Sequence, residues 1–382
     1  MWFYAANETN QRYLRPMMLL RNCLLLVAIQ PSSTSSMKKS KYLLLLLSLS
    51  VGCAFHASAQ ATWNGGGGAS NTNWNNGANW VGGVQPPTGS SLLFTGSTGL
   101  NSNNNTANSS FTYNTITFDS AAGAFVITGN PLKLGSTNTI VDNSTAVETI
   151  NDNITSSSTT AARSISVGAG GNLVLGGVIS GAFGTSTAGL TKTGAGTLTL
   201  SGANTYSTPT SVNAGTLAGK GSVSGAVILA GGATIAPGLG TGDTTNKFTA
   251  GSLTWNSASG TGGLSFTLDG ASTNSTNLTL TGAFTQGTGS GFDINLADNG
   301  QILGAGTYDL INFGSTNFTD VSQFNLISTL DLAPGLTGSL VLTGNQLDFN
   351  VVASEVPEPG AWALMLGGLG ALVFLQRRRS NA

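Results

Sequence analysis

Between Gln60 and Ser354 the apolar residues come in short bursts that alternate with polar ones. Residues 115–118 (TITF), 164–167 (SISV), 172–175 (NLVL), 197–200 (TLTL) and 226–229 (AVIL) are the clearest cases. A period of two places successive side chains on opposite faces of an extended backbone, so each burst predicts a strand. Gly, Asn and Ser clusters separate the bursts and predict turns. The stretch nowhere sustains the 3.6-residue period of an amphipathic helix, and an all-β body is expected.

The spacing of the bursts carries more than their propensity. Residues 171–177 (GNLVLGG) return 25 residues later as 196–202 (GTLTLSG). Related units follow at Gly215-Thr-Leu217, Ala233-Thr-Ile235 and Gly251-Ser-Leu253, so Leu173, Leu198, Leu217, Ile235 and Leu253 form a series with steps of 25, 19, 18 and 18. Steps of that size suit one coil of a parallel β-solenoid, in which each rung stacks its inward aliphatic residue on the next.

Composition agrees with stacking. Charged residues make up 8% of the 382, with 14 Lys and Arg against 15 Asp and Glu. Rungs ~4.8 Å apart would hold like charges too close, whereas Asn, Ser and Thr stack freely. From Gln60 to Ser354 there are five basic residues (Lys133, Arg163, Lys192, Lys220, Lys247) and twelve acidic ones. That balance, with no basic cluster, argues against a nucleic-acid partner, whose binding needs many phosphate contacts.

Both chain ends carry export-like patterns. Met37-Lys38-Lys39-Ser40-Lys41 precedes an apolar stretch at 42–55 and then Ala57-Ser58-Ala59. This is the layout of a signal peptide cut by signal peptidase between Ala59 and Gln60, with Ala57 and Ala59 as the small residues of the site. Ser50-Val51-Gly52-Cys53 approaches a lipobox but has Ser where an apolar residue is wanted. Met37 then reads as the initiator and residues 1–36 as an over-extended gene start. His56, Cys23 and Cys53 are the sole His and Cys, and all precede the expected cut. Disulfides, the usual zinc sites and Ser–His or Cys–His nucleophiles are thereby excluded from the mature body, and neither a cofactor nor a metal is expected. At the other end, residues 360–376 are uncharged and mostly apolar and are followed by Arg377, Arg378 and Arg379. The expectation is a transmembrane helix with the three Arg as its cytoplasmic stop.

Val356-Pro357-Glu358-Pro359, an apolar segment and a terminal Arg cluster, in that order, resemble the PEP-CTERM sorting signal. The resemblance implies processing by an exosortase near the Pro-Glu-Pro element, with only transient anchoring in the inner membrane. It also implies a Gram-negative-type envelope and an association with exopolysaccharide or biofilm. On that reading Pro357 and Pro359 keep the recognition segment extended. Residues 189–217 (GLTKTGAGTLTLSGANTYSTPTSVNAGTL) resemble the autotransporter-associated β-strand repeat, departing from it at Thr208-Pro209. This resemblance implies a right-handed parallel β-helix (β-solenoid) on a secreted or surface-exposed protein. It implies no reaction, and the chain after Leu253 is too short for the barrel of a complete autotransporter. The expected organisation is gene start (1–36), signal peptide (37–59), N-terminal β-rich region (60–188), repeat (189–217), solenoid continuation (218–250), C-terminal β-rich cap (251–354) and sorting tail (355–382).

Three groups of side chains are candidate sites. Trp63, Trp74 and Trp80 offer aromatic faces for stacking on sugar rings, or serve to cap the first rung's core. Asp142, Glu148 and Asp152, and the pair Asp293 and Asp298, fit paired-carboxylate hydrolysis, calcium binding or, as the reading favoured here, solvated turns. Lys192 and Tyr206 belong to the repeat and are assigned to rung and corner packing. The function expected is non-enzymatic: an exported surface or matrix protein with a structural or adhesive role. The rivals are a β-helical polysaccharide-degrading enzyme and a non-catalytic carbohydrate-binding protein.

Overall fold

In the computed structural model the described residues are 60–380, apart from 107–110, 186, 188, 239–246, 259, 271–274, 299 and 355–358. The expected signal segment, with Ala57 and Ala59, lies outside them, as do Val356, Pro357 and Glu358. Gln60 is the first residue of the first strand, Gln60–Trp63.

The alternating bursts are strands, and parallel pairing dominates. Among the described residues, ten strands form one sheet, running from Asn101–Asn104 at one edge to Phe324–Ser328 at the other. Every pairing within it is parallel. A second sheet of eighteen strands supplies two further files. One turn shows the path. Arg163–Val167 leads to Asn172–Leu175 in the ten-stranded sheet, then to Ile179–Phe183, and Leu190–Thr193 returns to pair with Arg163–Val167. Ile179–Phe183 pairs with Ile154–Ser158 of the preceding turn. Each turn of this part of the chain thus adds three strands, and the fold is a parallel β-solenoid.

Inward positions line up in files that are mostly apolar, because parallel strands keep side-chain parity from rung to rung. Leu173 pairs with Leu198, Leu198 with Leu217 and Leu217 with Ile235. All four are buried. Leu253 is not the next member, contrary to the spacing: it pairs with Val227 and Phe284 in the larger sheet. Ile235 is continued by Leu264, then Ile294 and Leu326. The chain spends 29 residues between Ile235 and Leu264, so the Gly-Ser-Leu unit at 251–253 matches the repeat's pattern without occupying its place.

Corners need residues without a side chain. Gly194 has φ 75°, and a Cβ there would meet the carbonyl oxygen of Val167 on the rung before. Only glycine tolerates both conditions at once. Parallel stacking runs through Phe324–Ser328, after which Leu336–Thr343 and Gln346–Ala353 form an antiparallel pair. The second of these strands adds antiparallel to Gly306–Asn312.

The tail forms a helix, Pro359–Ser380, with Arg377, Arg378 and Arg379 in its last turn. The expected membrane span is not borne out. Among the described residues no helix is long and apolar enough to cross a membrane. The physical reason lies in the length of the apolar run. From Gly360 to Leu375 it reaches about 24 Å at 1.5 Å per residue, against a hydrocarbon core of about 30 Å, and Gln376 and the three Arg end it. Pro359 is also corrected: it opens the helix rather than extending the preceding segment, at the one helical position where its missing N–H costs nothing.

Candidate functional site

The Trp cluster is sealed inside the first rungs. Trp63, Trp74 and Trp80 are 0%, 0% and 1% exposed, so none presents a face to a sugar, and the glycan-stacking reading is overturned. Trp80 meets Trp63 edge-on at 5.1 Å and Trp74 at 5.9 Å, and Phe94 lies about 6 Å from each of the three. Trp80 Nε1 donates to Trp74 O (2.9 Å), and Trp63 Nε1 to Gly99 O (3.1 Å). The residue that organises this loop went unnoticed in the sequence. Buried Asn79 accepts from Gly67 N (2.7 Å) through Oδ1, and its Nδ2 donates to Asn71 O (2.8 Å) and Asn73 O (2.9 Å).

The carboxylates at 142–152 are not solvated turn residues. Asp142 and Glu148 are 0% exposed and Asp152 is 2% exposed. Asp142 pairs in register with Phe118 below and Val167 above, so its side chain occupies a core position. Glu148 pairs with Leu173 above and accepts from Phe125 N (2.7 Å) through Oε2. Ser144 N donates to Asp142 Oδ1 (3.0 Å), leaving Asp142 Oδ2 and Glu148 Oε1 buried without a hydrogen bond. Burial pushes Asp142 up to about 6 despite the Ser144 amide. Glu148 rises to about 7, chiefly by burial, against hydrogen bonds from Phe125 and Ser144 and with the charge of Asp142 adding to the rise. Asp152 is likewise raised to about 7 by burial, opposed by Asn104. Enclosed carboxyls of this kind have no route to a glycosidic bond. Among the described residues no group of three or more His, Cys, Asp or Glu is arranged to hold a metal ion.

Asp293 and Asp298 have structural partners. Asp293 accepts from Gly260 N (2.8 Å) and Asn325 Nδ2 (2.9 Å), tying three consecutive turns together. Asp298 accepts from Gly300 N (2.9 Å) and Asp331 N (2.8 Å) at a turn. Lys192 points inward and is fully buried, its Nζ donating to the carbonyls of Thr193 (2.9 Å), Gly194 (2.7 Å) and Ala214 (3.1 Å). Burial lowers its pKa to about 8. Tyr206 shares a hydrogen bond with Thr210 Oγ1 (2.7 Å) and packs 5.4 Å from Phe183. Burial raises its pKa, with the Thr210 bond opposing.

On the surface, a groove of about 270 Å³ runs across three turns between Ser222, Ser224, Thr249 and Thr281. It offers hydroxyls and backbone groups and contains no acid or base. At the tail, Arg378 lies 5.6 Å over the Phe374 ring, and all three Arg are exposed where the helix dipole favours cations.

Fold and sites together define a stacked repeat scaffold whose interior holds its polar groups for structural ends. Two segments identify its affinities. Residues 190–218, containing Lys192 and Tyr206, match the passenger-associated-transport-repeat. Residues 355–379 match the PEP-CTERM protein-sorting motif, which covers Val356, Pro357, Glu358, Pro359 and the three Arg. No curated protein matches this chain.

Proposed function

We propose that the protein is exported, sorted by an exosortase through its C-terminal tail, and displayed at the cell envelope or outside the cell as a structural or adhesive solenoid. The observation that carries this reading is the sorting motif at 355–379, placed after a body of stacked parallel strands. The passenger-associated repeat supports it, since stacked rungs give an extended, weakly charged face suited to a polymer such as exopolysaccharide. We infer further that the body is not catalytic: Asp142 and Glu148 are enclosed among Phe118, Phe125, Val167 and Leu173, and the surface groove has no proton-transferring group. Deletion of residues 355–382 tests the sorting. Loss of tail processing and of envelope localisation is expected, and an unchanged distribution would overturn the reading. Turnover of a neutral or acidic polysaccharide by the purified chain would overturn the non-catalytic part.

A further inference from the structure

The two ends of the solenoid are finished differently. At the first rung the segment 72–81 lies along both outer strand edges. Asn103 N donates to Thr72 O and Trp74 N to Asn103 O (2.9 Å each), which covers the outer edge of Asn101–Asn104. Val81 N donates to Thr62 O (2.9 Å) and Trp80 bridges Trp63, which covers the outer edge of Gln60–Trp63. At the last rung, among the described residues, two edges stay open. Phe324–Ser328 ends the ten-stranded sheet, and Leu336–Thr343 pairs only with Gln346–Ala353.

An open edge is a row of N–H and C=O groups ready to pair with another strand, and proteins commonly guard it with charge, proline or a bulge. Phe324–Ser328 has five residues and lies between exposed Asp320 and Asp331, which guard it. Leu336–Thr343 has eight, none of them charged and none proline. Its register with Gln346–Ala353 runs without a break from Leu336 to Thr343, so no bulge turns it aside. On its inner side Leu336, Leu340 and Leu342 pack against the core and remain only partly buried. On its outer side Thr337, Ser339 and Thr343 are exposed.

We propose that Leu336–Thr343 is a self-association strand: two copies of the chain pair these strands antiparallel across a two-fold axis and join their solenoids end to end as a closed dimer. This lies beyond the sorting reading and does not depend on it.

Three features select a second copy as the occupant. A two-fold axis sets a strand antiparallel to its own mate. Gly306–Asn312, Gln346–Ala353 and Leu336–Thr343 are already antiparallel in that order, so the mates extend one sheet in the same sense. An axis normal to that sheet keeps the inner leucines of both copies on one side, where each set continues the other's apolar surface. The strand also meets its copy with no like charges opposite each other, a cost that any Lys or Asp in it would have imposed. Finally, the covered first rung offers no free edge among the described residues. Head-to-tail growth into a fibre is therefore blocked, and association stops at two.

Sedimentation velocity of the full-length chain over a concentration series, with Ser339→Lys and Thr128→Lys, tests the proposal. Both positions are exposed on strands, and Thr128 lies on the strand next to Asn101–Asn104, near the first rung. Wild type and Thr128→Lys should sediment with twice the mass of one chain. Ser339→Lys brings two ammonium groups together near the axis and should sediment as a single chain. A dimer retained by Ser339→Lys would move the association to another surface, such as the exposed apolar residues of the tail helix, and overturn the proposal. A single-chain mass for the wild type, or growth beyond two, would overturn it as well. Amide exchange in the wild type gives a readout that needs no variant to fold. Raising the protein concentration should slow exchange within Leu336–Thr343 and leave Asn101–Asn104 unchanged, and an equal response of the two strands would count against the dimer.

Discussion

Lys192 stacks directly on Ile165: the two occupy equivalent inward positions on neighbouring rungs, one ending in an ammonium and the other in a methyl group. The next residue in the file is Val212. An isolated cation there would be very costly, and three carbonyl oxygens at 2.7–3.1 Å offset that cost. Lys192→Met keeps the length of the side chain and abandons those carbonyls. Equilibrium unfolding should show a loss of about 1–3 kcal/mol, the range for orphaned buried polar groups.

Gly194 belongs to the same unit, since its carbonyl is one of the three and its φ is 75°. Gly194→Ala should cost more than about 1 kcal/mol, because it combines a strained backbone with a clash against Val167 O. Combined with Lys192→Met it should cost less than the sum. A double-mutant cycle measures the shortfall.

The apolar file predicts a gradient along the solenoid. Leu198 is 0% exposed and Leu326, the last member, is 38% exposed. Leu198→Ala should destabilise by about 2–5 kcal/mol and Leu326→Ala by well under half as much, since a cavity penalty needs enclosure. Chemical denaturation of the two variants under one set of conditions compares them.

Replacing the aromatic cap should affect folding and leave ligand binding alone. Trp63→Ala should lose about 3–5 kcal/mol through the vacated core volume. Trp80→Phe removes the bond to Trp74 O while keeping most of the packing, and any polysaccharide binding by the full chain should be unchanged in it. Titration of soluble glycans against both proteins checks this.

Asp348 faces Asp309 directly across the antiparallel strands, and burial, with that neighbouring charge second, raises it to about 6. Its raised value lowers stability progressively from about pH 4 to about pH 6, above which the penalty is constant. Asp348→Asn should therefore stabilise the chain at pH 7 by on the order of 1 kcal/mol and leave it unchanged at pH 4. Thermal melts at the two pH values provide the comparison.

The inward file from Leu173 to Ile235 was legible in the sequence because the repeat held its spacing and parity together. Leu253 misled because its Gly-Ser-Leu setting imitates the repeat while longer corners had already shifted the register. The carboxylates were misread by residue type, although their parity held the answer: Glu148 lies two before buried Ile150, and Asp142 two after buried Ile140. An acidic residue at an inward position looks the same as a turn residue until the neighbouring rungs are known. For Trp63, Trp74 and Trp80, which depend on Asn79 and a loop, no periodicity existed to read. The tail motif was legible as a linear pattern, and its helical opening at Pro359 was not, because the same proline fits both an extended segment and a first helical turn.

Rungs of unequal length have a geometric corollary. The ten-stranded sheet advances by one strand spacing, about 4.8 Å, at each step. This holds whether the chain uses 18 residues, as between Leu217 and Ile235, or 32, as between Ile294 and Leu326. Axial reach is therefore metered by the number of turns, and additional sequence is diverted sideways into the corners. Such a molecule works as a ruler with an adjustable rim: its span can stay fixed while the chemistry of its edges is rewritten.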